Sequence, residues 1–460
     1  MEHNMAAGVQ KRSPSWVVDI HKKLNEVDPS KELALWSKQS IYRVPACIKD
    51  LNPKAYKPQI ISLGPYHHDD PQLLPMEDHK QRALLHFLKR ANKSIDEFLE
   101  AMDEVEPLLL ASYQGLDEKW NDKELFLQLM IVDGCFMLEV LRVATGHVGA
   151  DYVANDPIFS NHGMLYTVPY IKRDMLMLEN QLPLLVLQKL VTIETGTVVD
   201  EDQINKLVLK FFTPSVRLPT MPLGLHPLDV FRKSLLQGPT KRSPSQKDHV
   251  SSEIIRSAME LDEAGIRFRT NKSNSLRDIS FRHGILYLPV IVVDDATEYM
   301  FLNLMTFERL HVNAGNEVTA YVFFMDNIID SAQDVSLLHS KGIIQNALGS
   351  DKAVAKLFNS LSKDVVLDPD SSLEDVHNRV NKYCRKRWNM WRANLIHTYF
   401  RNPWAFLSLL AAIFLLVLTV AQTFYSIYPY YVPHDENSSP PPPMFGPPPP
   451  ALSKLVSPPP

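Results

Sequence analysis

The sequence predicts a mainly α-helical protein with a small antiparallel β element, built as a globular helical body followed by one C-terminal transmembrane helix. Three observations carry that prediction. Residues 405–424 form 20 consecutive positions without a charge. Residues 73–230 place apolar side chains at helical spacing over most of their length. Short β-type runs broken by turn residues are confined to a stretch around residues 265–295.

Composition sets the outer bounds. With 460 residues, 45% hydrophobic and 22% charged, the chain has material for a large core and for two or three lobes. A net charge of −5 gives no basic footprint, which excludes nucleic acid as the main partner expected. Cys47, Cys135 and Cys384 are isolated, with no CxxC and no Cys/His pair at zinc spacing. That usage fits reduced, partly buried thiols in a reducing compartment. The first twenty residues carry charges where a secretory signal needs a continuous apolar run, so no signal peptide is expected there.

Residues 1–38 read as a partly disordered N-terminal segment, and residues 39–232 as a helical lobe. Within that lobe, Pro75 and the acids that follow start a helix. Ile95, Phe98, Leu99, Met102 and Val105 share one face of the next. The stretch "DKELFLQLMIVDGCFMLEVLRVA" is apolar nearly all round, as a central buried helix is. Asn180 is placed as the N-cap of a helix over "LPLLVLQKL", with Pro183 in its first turn.

Residues 233–252 read as a polar linker between this lobe and a second one at 253–402. The second lobe holds the β-type runs, then helices from "TEYMFLNLMTFERL" onward. Its last helix opens on a capping box from Ser371 to Glu374 and carries Val376, Val380, Tyr383, Trp391 and Leu395 as one apolar stripe.

Residues 403–428 are the membrane span. Twenty helical residues cover about 30 Å of hydrocarbon. Trp404 marks one end, and Tyr425, Tyr428, Tyr430 and Tyr431 the other, as interfacial aromatic belts do. Arg385, Lys386, Arg387, Arg392 and Arg401 precede it, whereas the next twenty residues hold only Asp435 and Glu436 as charges. The positive-inside rule places the body in the cytosol and a short tail outside. Residues 429–460 are proline-dense and expected to be extended. Asn437 opens a glycosylation sequon that is usable only on a luminal tail. The string "KRSPS" at 11–15 and 241–245 makes Ser13 and Ser243 candidate phosphorylation sites.

Four features could carry chemistry. In His67-His68-Asp69-Asp70, adjacent side chains diverge, so the run supplies too few ligands for one metal. His79 and His86 share a helix face but lie two turns, about 11 Å, apart. Asp133 and Glu139 differ by six helical positions and point to different faces, with Cys135 between them in an apolar run. Asp174 and Glu179 flank a helix end, where a buried polar network is favoured over acid/base catalysis. Asp294 and Asp295 supply a strand-to-helix turn. No nucleotide-binding, nucleophile-elbow, zincin or EF-hand pattern occurs. No catalytic, cofactor or metal residue is assigned, and no cofactor is expected.

These stretches carry a resemblance. "IYRVPACIKDLNPKAYKPQIISLGPYHHDD", "MEDHKQR", "VDGCFMLEVL", "RDMLMLENQLP", "ELDEAGIRF" and "LYLPVIVVDDATEYMFLNLMTFE" occur in the order seen in the plant family called domain of unknown function 247. The resemblance covers about residues 40–425 and does not include the proline-rich tail. It implies a plant-specific, membrane-anchored protein without established enzymatic activity or assigned catalytic residues. Some grass members are implicated as pollen-side determinants of self-incompatibility, a recognition role.

The function expected is therefore a non-enzymatic, plasma-membrane-anchored interaction protein. It would hold the bilayer through its single C-terminal helix and meet a protein partner with its body. The alternatives are a hydrolase or metal-dependent enzyme using His67, His68, Asp133, Asp174 or Glu179, and a cell-wall tether using the proline-rich tail.

Overall fold

The computed structural model describes residues 14–26, 28–146, 151–214, 219–238, 255–271, 273–312, 314–363, 373–396, 398, 403–431 and 446. The fold is mainly α with a small sheet, as the sequence indicates. Residues Met1–Ala393 belong to one compact unit, and Asn394–Pro460 to a second.

The first unit is organised around the helix Lys123–Ala144, hereafter the central helix. Its largely apolar sequence buries nearly every side chain from Phe126 to Leu141, Asp133 and Glu139 included. Each fully buried Leu, Phe or Met contributes about 1.5–3 kcal/mol, and among the described helices this one buries the most residues. Asp122 caps it by accepting from the N–H groups of Glu124 and Leu125. The helices Glu77–Ala91 and Leu184–Thr195 pack along it. Gly134 sits at the second contact, where a Cβ would lie 2.6 Å from Val186 Cγ1 and 2.7 Å from Leu190 Cδ1.

The helix Ile95–Asp103 forms behind a full capping box at Ser94 and Glu97. Phe98, Met102 and the following Val105 are buried as expected, whereas Ile95 and Leu99 are exposed at the edge of that stripe. Two further departures concern ends of elements. Asn180 is not an N-cap: Pro183 takes that position, and the Asn180 side chain is buried elsewhere. The helix Pro227–Leu235 extends into the expected linker, whose residues 239–252 lie outside the described residues. Near the N-terminus, the segment expected to be partly disordered contains two helices, Ser15–Glu26 and Pro29–Trp36, among its described residues.

Five short strands follow: β1 (Arg267–Thr270), β2 (Ser280–Arg282), β3 (Ile285–Leu288), β4 (Ile291–Val293) and β5 (Ile344–Asn346). The β2–β3 pair is the antiparallel hairpin the sequence suggested. His283 and Gly284 both have positive φ, 52° and 76°, the two-residue turn that matches strand twist. The β1–β3 and β4–β5 pairs are parallel, so the β element is mixed rather than wholly antiparallel. Parallel pairing needs long connections, and the segments between these partners supply them.

An ion network joins the stretches on either side of residues 239–254. Arg232 pairs with Glu308 at 2.6 Å and Glu317 at 2.8 Å, and Arg277 also pairs with Glu317. Glu308 in addition accepts from the N–H groups of Val318 and Thr319.

The long last helix expected from residue 371 is two helices, Glu374–Cys384 and Arg387–Leu395. Ser371, its expected cap, lies outside the described residues. Val376 and Val380 are buried as expected, but Trp391 and Leu395 are exposed, because the break between the helices resets the helical phase. Of the cysteines, Cys135 and Cys384 are buried free thiols, whereas Cys47 is an exposed one.

Two histidines give this unit a pH signature. His226 is fully buried; its Nε2–H donates to the Ser40 carbonyl, and its Nδ1 accepts from the Asp229 N–H at the start of a helix. Burial pushes His226 and His377 down from 6.5 to about 4. A depressed histidine keeps its stabilising, neutral state above its unfolded value and loses stability as the unfolded chain takes up a proton. Stability therefore falls between about pH 6.5 and 4, and His226 alone withdraws about 1.4 kcal/mol per pH unit across that window. Urea midpoints at pH 7 and pH 5 check this: the midpoint drops, and His226→Asn, which retains an N-cap, makes the drop smaller.

The helix Pro403–Tyr431 carries the uncharged stretch and runs three residues past the expected end of the span. Within it, Trp404–Tyr428 is long and apolar enough to cross a membrane, and its most apolar window is not buried.

Candidate functional site

The stretch from Lys57 to His68 has no helix or strand, yet Ile61, Ser62, Leu63 and Gly64 are buried. A buried irregular backbone carries N–H groups that neither a ladder nor water can satisfy. Side chains distant in sequence satisfy them here. Asp174 accepts from the N–H groups of Gln59, Ile60 and Ile61 at 2.8–3.1 Å. Asn180 Oδ1 accepts from Leu63 at 2.7 Å, and its Nδ2 donates back to the Ile61 and Asp174 carbonyls. Asp133 Oδ2 accepts from Gly64 at 2.7 Å. Gly64 has φ +74°, and a Cβ there would lie 2.7 Å from the Gln181 carbonyl, so the strap needs glycine at this point.

The preceding chain is held in the same way. Glu179 accepts from the Val44 N–H at 2.7 Å and pairs with Lys49 at 2.6 Å. Gln181 donates to the Met175 and Met177 carbonyls and accepts from the Leu228 N–H. Asn303 accepts from the Leu178 N–H and donates to the Ala55 carbonyl, which ties the helix Thr297–Leu310 to both stretches. The "RDMLMLENQ" segment is thus a clasp whose polar side chains all grip backbone.

Beneath the strap lies a charge cluster. Lys80, fully buried, places Nζ 2.7 Å from Asp133 Oδ1 and 2.6 Å from Glu77 Oε1. Burial pushes the Asp133 carboxyl up, and Lys80 is the main opposing influence. Burial likewise raises Asp174, against the pull of its three backbone donors. At Glu179, burial opposes ionisation, but His67, Lys49 and the Val44 N–H outweigh it and hold the carboxyl below the usual range.

The four residues of "HHDD" go to four different partners. His67 Nε2 lies 3.4 Å from Glu179, and the His68 ring meets Trp120 edge-on with centroids 5.5 Å apart. Asp69 pairs with Lys119 at the surface, while Asp70 accepts from the Gln72 N–H and pairs with Lys57. His79 contacts Arg82, and the His86 ring packs on Tyr152. Among the described residues, no three His, Cys, Asp or Glu side chains are grouped to hold a metal.

The structure brings His67 and Glu179 together and places Asp133 and Asp174 on one strap, each serving different amides. Glu139 points away to Arg90 and the Tyr152 hydroxyl, and burial pushes the Cys135 thiol well up. Asp294 makes the expected turn, exchanging hydrogen bonds with Thr297. Ser13, Ser243 and Asn437 lie outside the described residues. Lys80 escaped the sequence reading, although its spacing to Ala83 and Phe87 sets it on the helix's apolar face. A groove of about 770 Å³ opens elsewhere, lined by Cys47, Tyr56, Leu302, Met305, Arg309 and Thr319 among others. None of His67, His68, Asp133, Asp174 and Glu179 lines it.

Fold and clasp together define a class: a mainly α body pinned by buried carboxylates and amides, with one long apolar helix near its C-terminus. A family model described as a plant protein of unknown function, domain of unknown function 247, matches residues 41–418, and the chain belongs to that family. It is similar to UPF0481 protein At3g47200 of Arabidopsis thaliana, with 32% identity over 423 residues, covering 85% of this chain and 86% of that one. It is also similar to the putative UPF0481 protein At3g02645 of the same plant, with 25% identity over 512 residues, covering 89% and 94%. No solved structure matches the chain.

Proposed function

We propose that this chain is a membrane-anchored interaction protein whose helical body is displayed on the cytosolic face of the plasma membrane and binds a protein partner. The observation that carries the reading is the charge asymmetry around the apolar helix Pro403–Tyr431. Seven Lys or Arg occur between residues 379 and 401, and no acid occurs from 376 to 434. Cationic flanks stay on the cytosolic side. Two further points support interaction over catalysis. The buried acids Asp133, Asp174 and Glu179 are engaged by backbone amides, and Asp133 and Glu179 by lysine as well, which leaves them no free proton-transfer role. The recognition role implied for grass members of the family is of the same kind.

The test treats intact cells with an impermeant protease, then crosslinks the membrane-bound chain. The body should survive the protease, and a second protein should be recovered with it in near-equal amount. Digestion of the body from outside inverts the orientation, and recovery of the chain alone removes the partner.

A further inference from the structure

The helix Arg387–Leu395 turns an unusual face to solvent. Its inner side is settled by contacts: Asn389 is buried and donates to the Tyr383 carbonyl at 2.8 Å, and Ala393, one turn on, packs against the core. Arg392 lies along the Gly265 backbone while remaining exposed. On the outer side, Trp388 is 80% exposed, Trp391 74% and Leu395 48%. At about 100° per residue these three fall within a sector of about 60°, with Arg387 and Arg392 about 40° beyond its two edges. Exposed tryptophans beside guanidinium groups suit the headgroup level of a bilayer, with the rings at the interface and the cations on phosphate.

We propose that this face docks on the anionic lipid leaflet next to the body, making a second membrane contact that recognises headgroup charge. The proposal rests on the anchored orientation given above. Three observations favour a bilayer as the occupant. Arg379, Lys382, Arg385, Lys386, Arg387, Arg392 and Arg401 give seven positive charges in 23 residues, and no acid occurs from 376 to 434. Clusters of this size beside a span select anionic lipid. Finally, only residues 396–402 separate Leu395 from the apolar helix. Seven residues reach at most about 25 Å, so docking would be an intramolecular step at high effective concentration rather than a separate encounter.

The test reconstitutes the full chain in bilayers of phosphatidylcholine alone or mixed with phosphatidylserine, using lipids brominated just below the headgroup. Trp404 reports the anchor; Trp388 and Trp391 report docking. All three are exposed, so Phe substitutions at these positions leave the fold intact. In the mixed bilayer, Trp388→Phe/Trp391→Phe removes a quenched component that is roughly two-fold smaller in phosphatidylcholine alone, and Lys386→Gln/Arg387→Gln lowers it to that smaller value. If the double Phe substitution leaves quenching unchanged while Trp404→Phe removes it, the anchor stands and docking is overturned. If Trp404 is itself unquenched, the anchored reading fails and docking with it.

Discussion

Replacing Lys80 with methionine is expected to lower the stability of the body by about 3–5 kcal/mol, the usual cost of leaving one charge of a buried pair alone. Methionine matches the lysine stem, so little packing is lost and the electrostatic effect dominates. The partner left behind is Asp133, which is fully buried and keeps only the Gly64 N–H at 2.7 Å. Glu77, partly exposed, can turn to water, so the loss is concentrated on Asp133. The pH dependence separates this cause from simple misfolding. Burial raises the Asp133 carboxyl, and removing Lys80 takes away the main influence against that rise. A carboxyl whose folded value is raised costs stability above its unfolded value, and protonation relieves the cost. The deficit of Lys80→Met therefore shrinks as pH falls through the raised value. The double variant Lys80→Met/Asp133→Asn keeps an acceptor for Gly64 and should recover more than half the loss. Urea unfolding of the detergent-solubilised chain measures all three, and a deficit below about 1 kcal/mol for Lys80→Met would refute the account.

How much of this was legible in the sequence follows from the range of the interactions. The central helix could be read because its apolar run is too long for a strand and outweighs the lone Asp133-Gly134 turn signal, and the apolar C-terminal helix could be read from its length alone. The divergence of His67, His68, Asp69 and Asp70 follows from backbone geometry alone, and their four separate partners agree with it. The clasp was hidden because its bonds are long-range: Asp133 reaches Gly64 across 69 residues, and Asn303 reaches Ala55 across 248. Asn180 shows the limit most plainly. Its position before a helix matches a local capping pattern, but two buried groups of the strap, the Leu63 N–H and the Ile61 carbonyl, claim its side chain. Periodicity failed at Trp391 and Leu395 for a related reason. A stripe extrapolated across Arg385 and Lys386 assumes an unbroken helix, and the break there turned the expected inner stripe outward.

Asp174→Ala is the second large effect, at about 3–4 kcal/mol, and it asks whether the clasp is what holds the strap. One oxygen, Oδ2, accepts from Gln59, Ile60 and Ile61 at 2.9, 2.8 and 3.1 Å, while Oδ1 accepts only from Gln59 at 3.0 Å. Alanine removes both. The Gln59 N–H can find water because that residue is exposed, whereas Ile61 is fully buried and Ile60 half-buried. Two amides are thus left without partners, each costing about 1–3 kcal/mol. Asparagine supplies the decisive contrast. With its oxygen in the Oδ2 position it keeps all three short bonds and sets its NH₂ only against the exposed Gln59 side of the strap. Its loss should therefore be about 1–2 kcal/mol, clearly below that of alanine. The position of the damage is equally specific, since the strap is held independently at Leu63 by Asn180 of the clasp and at Gly64 by Asp133 of the central helix. Limited proteolysis of Asp174→Ala should cut first near residues 57–61, before the central helix opens. Equal losses for alanine and asparagine, or first cleavage elsewhere in the body, would mean that the strap is held by packing and that its carboxylate partner is incidental.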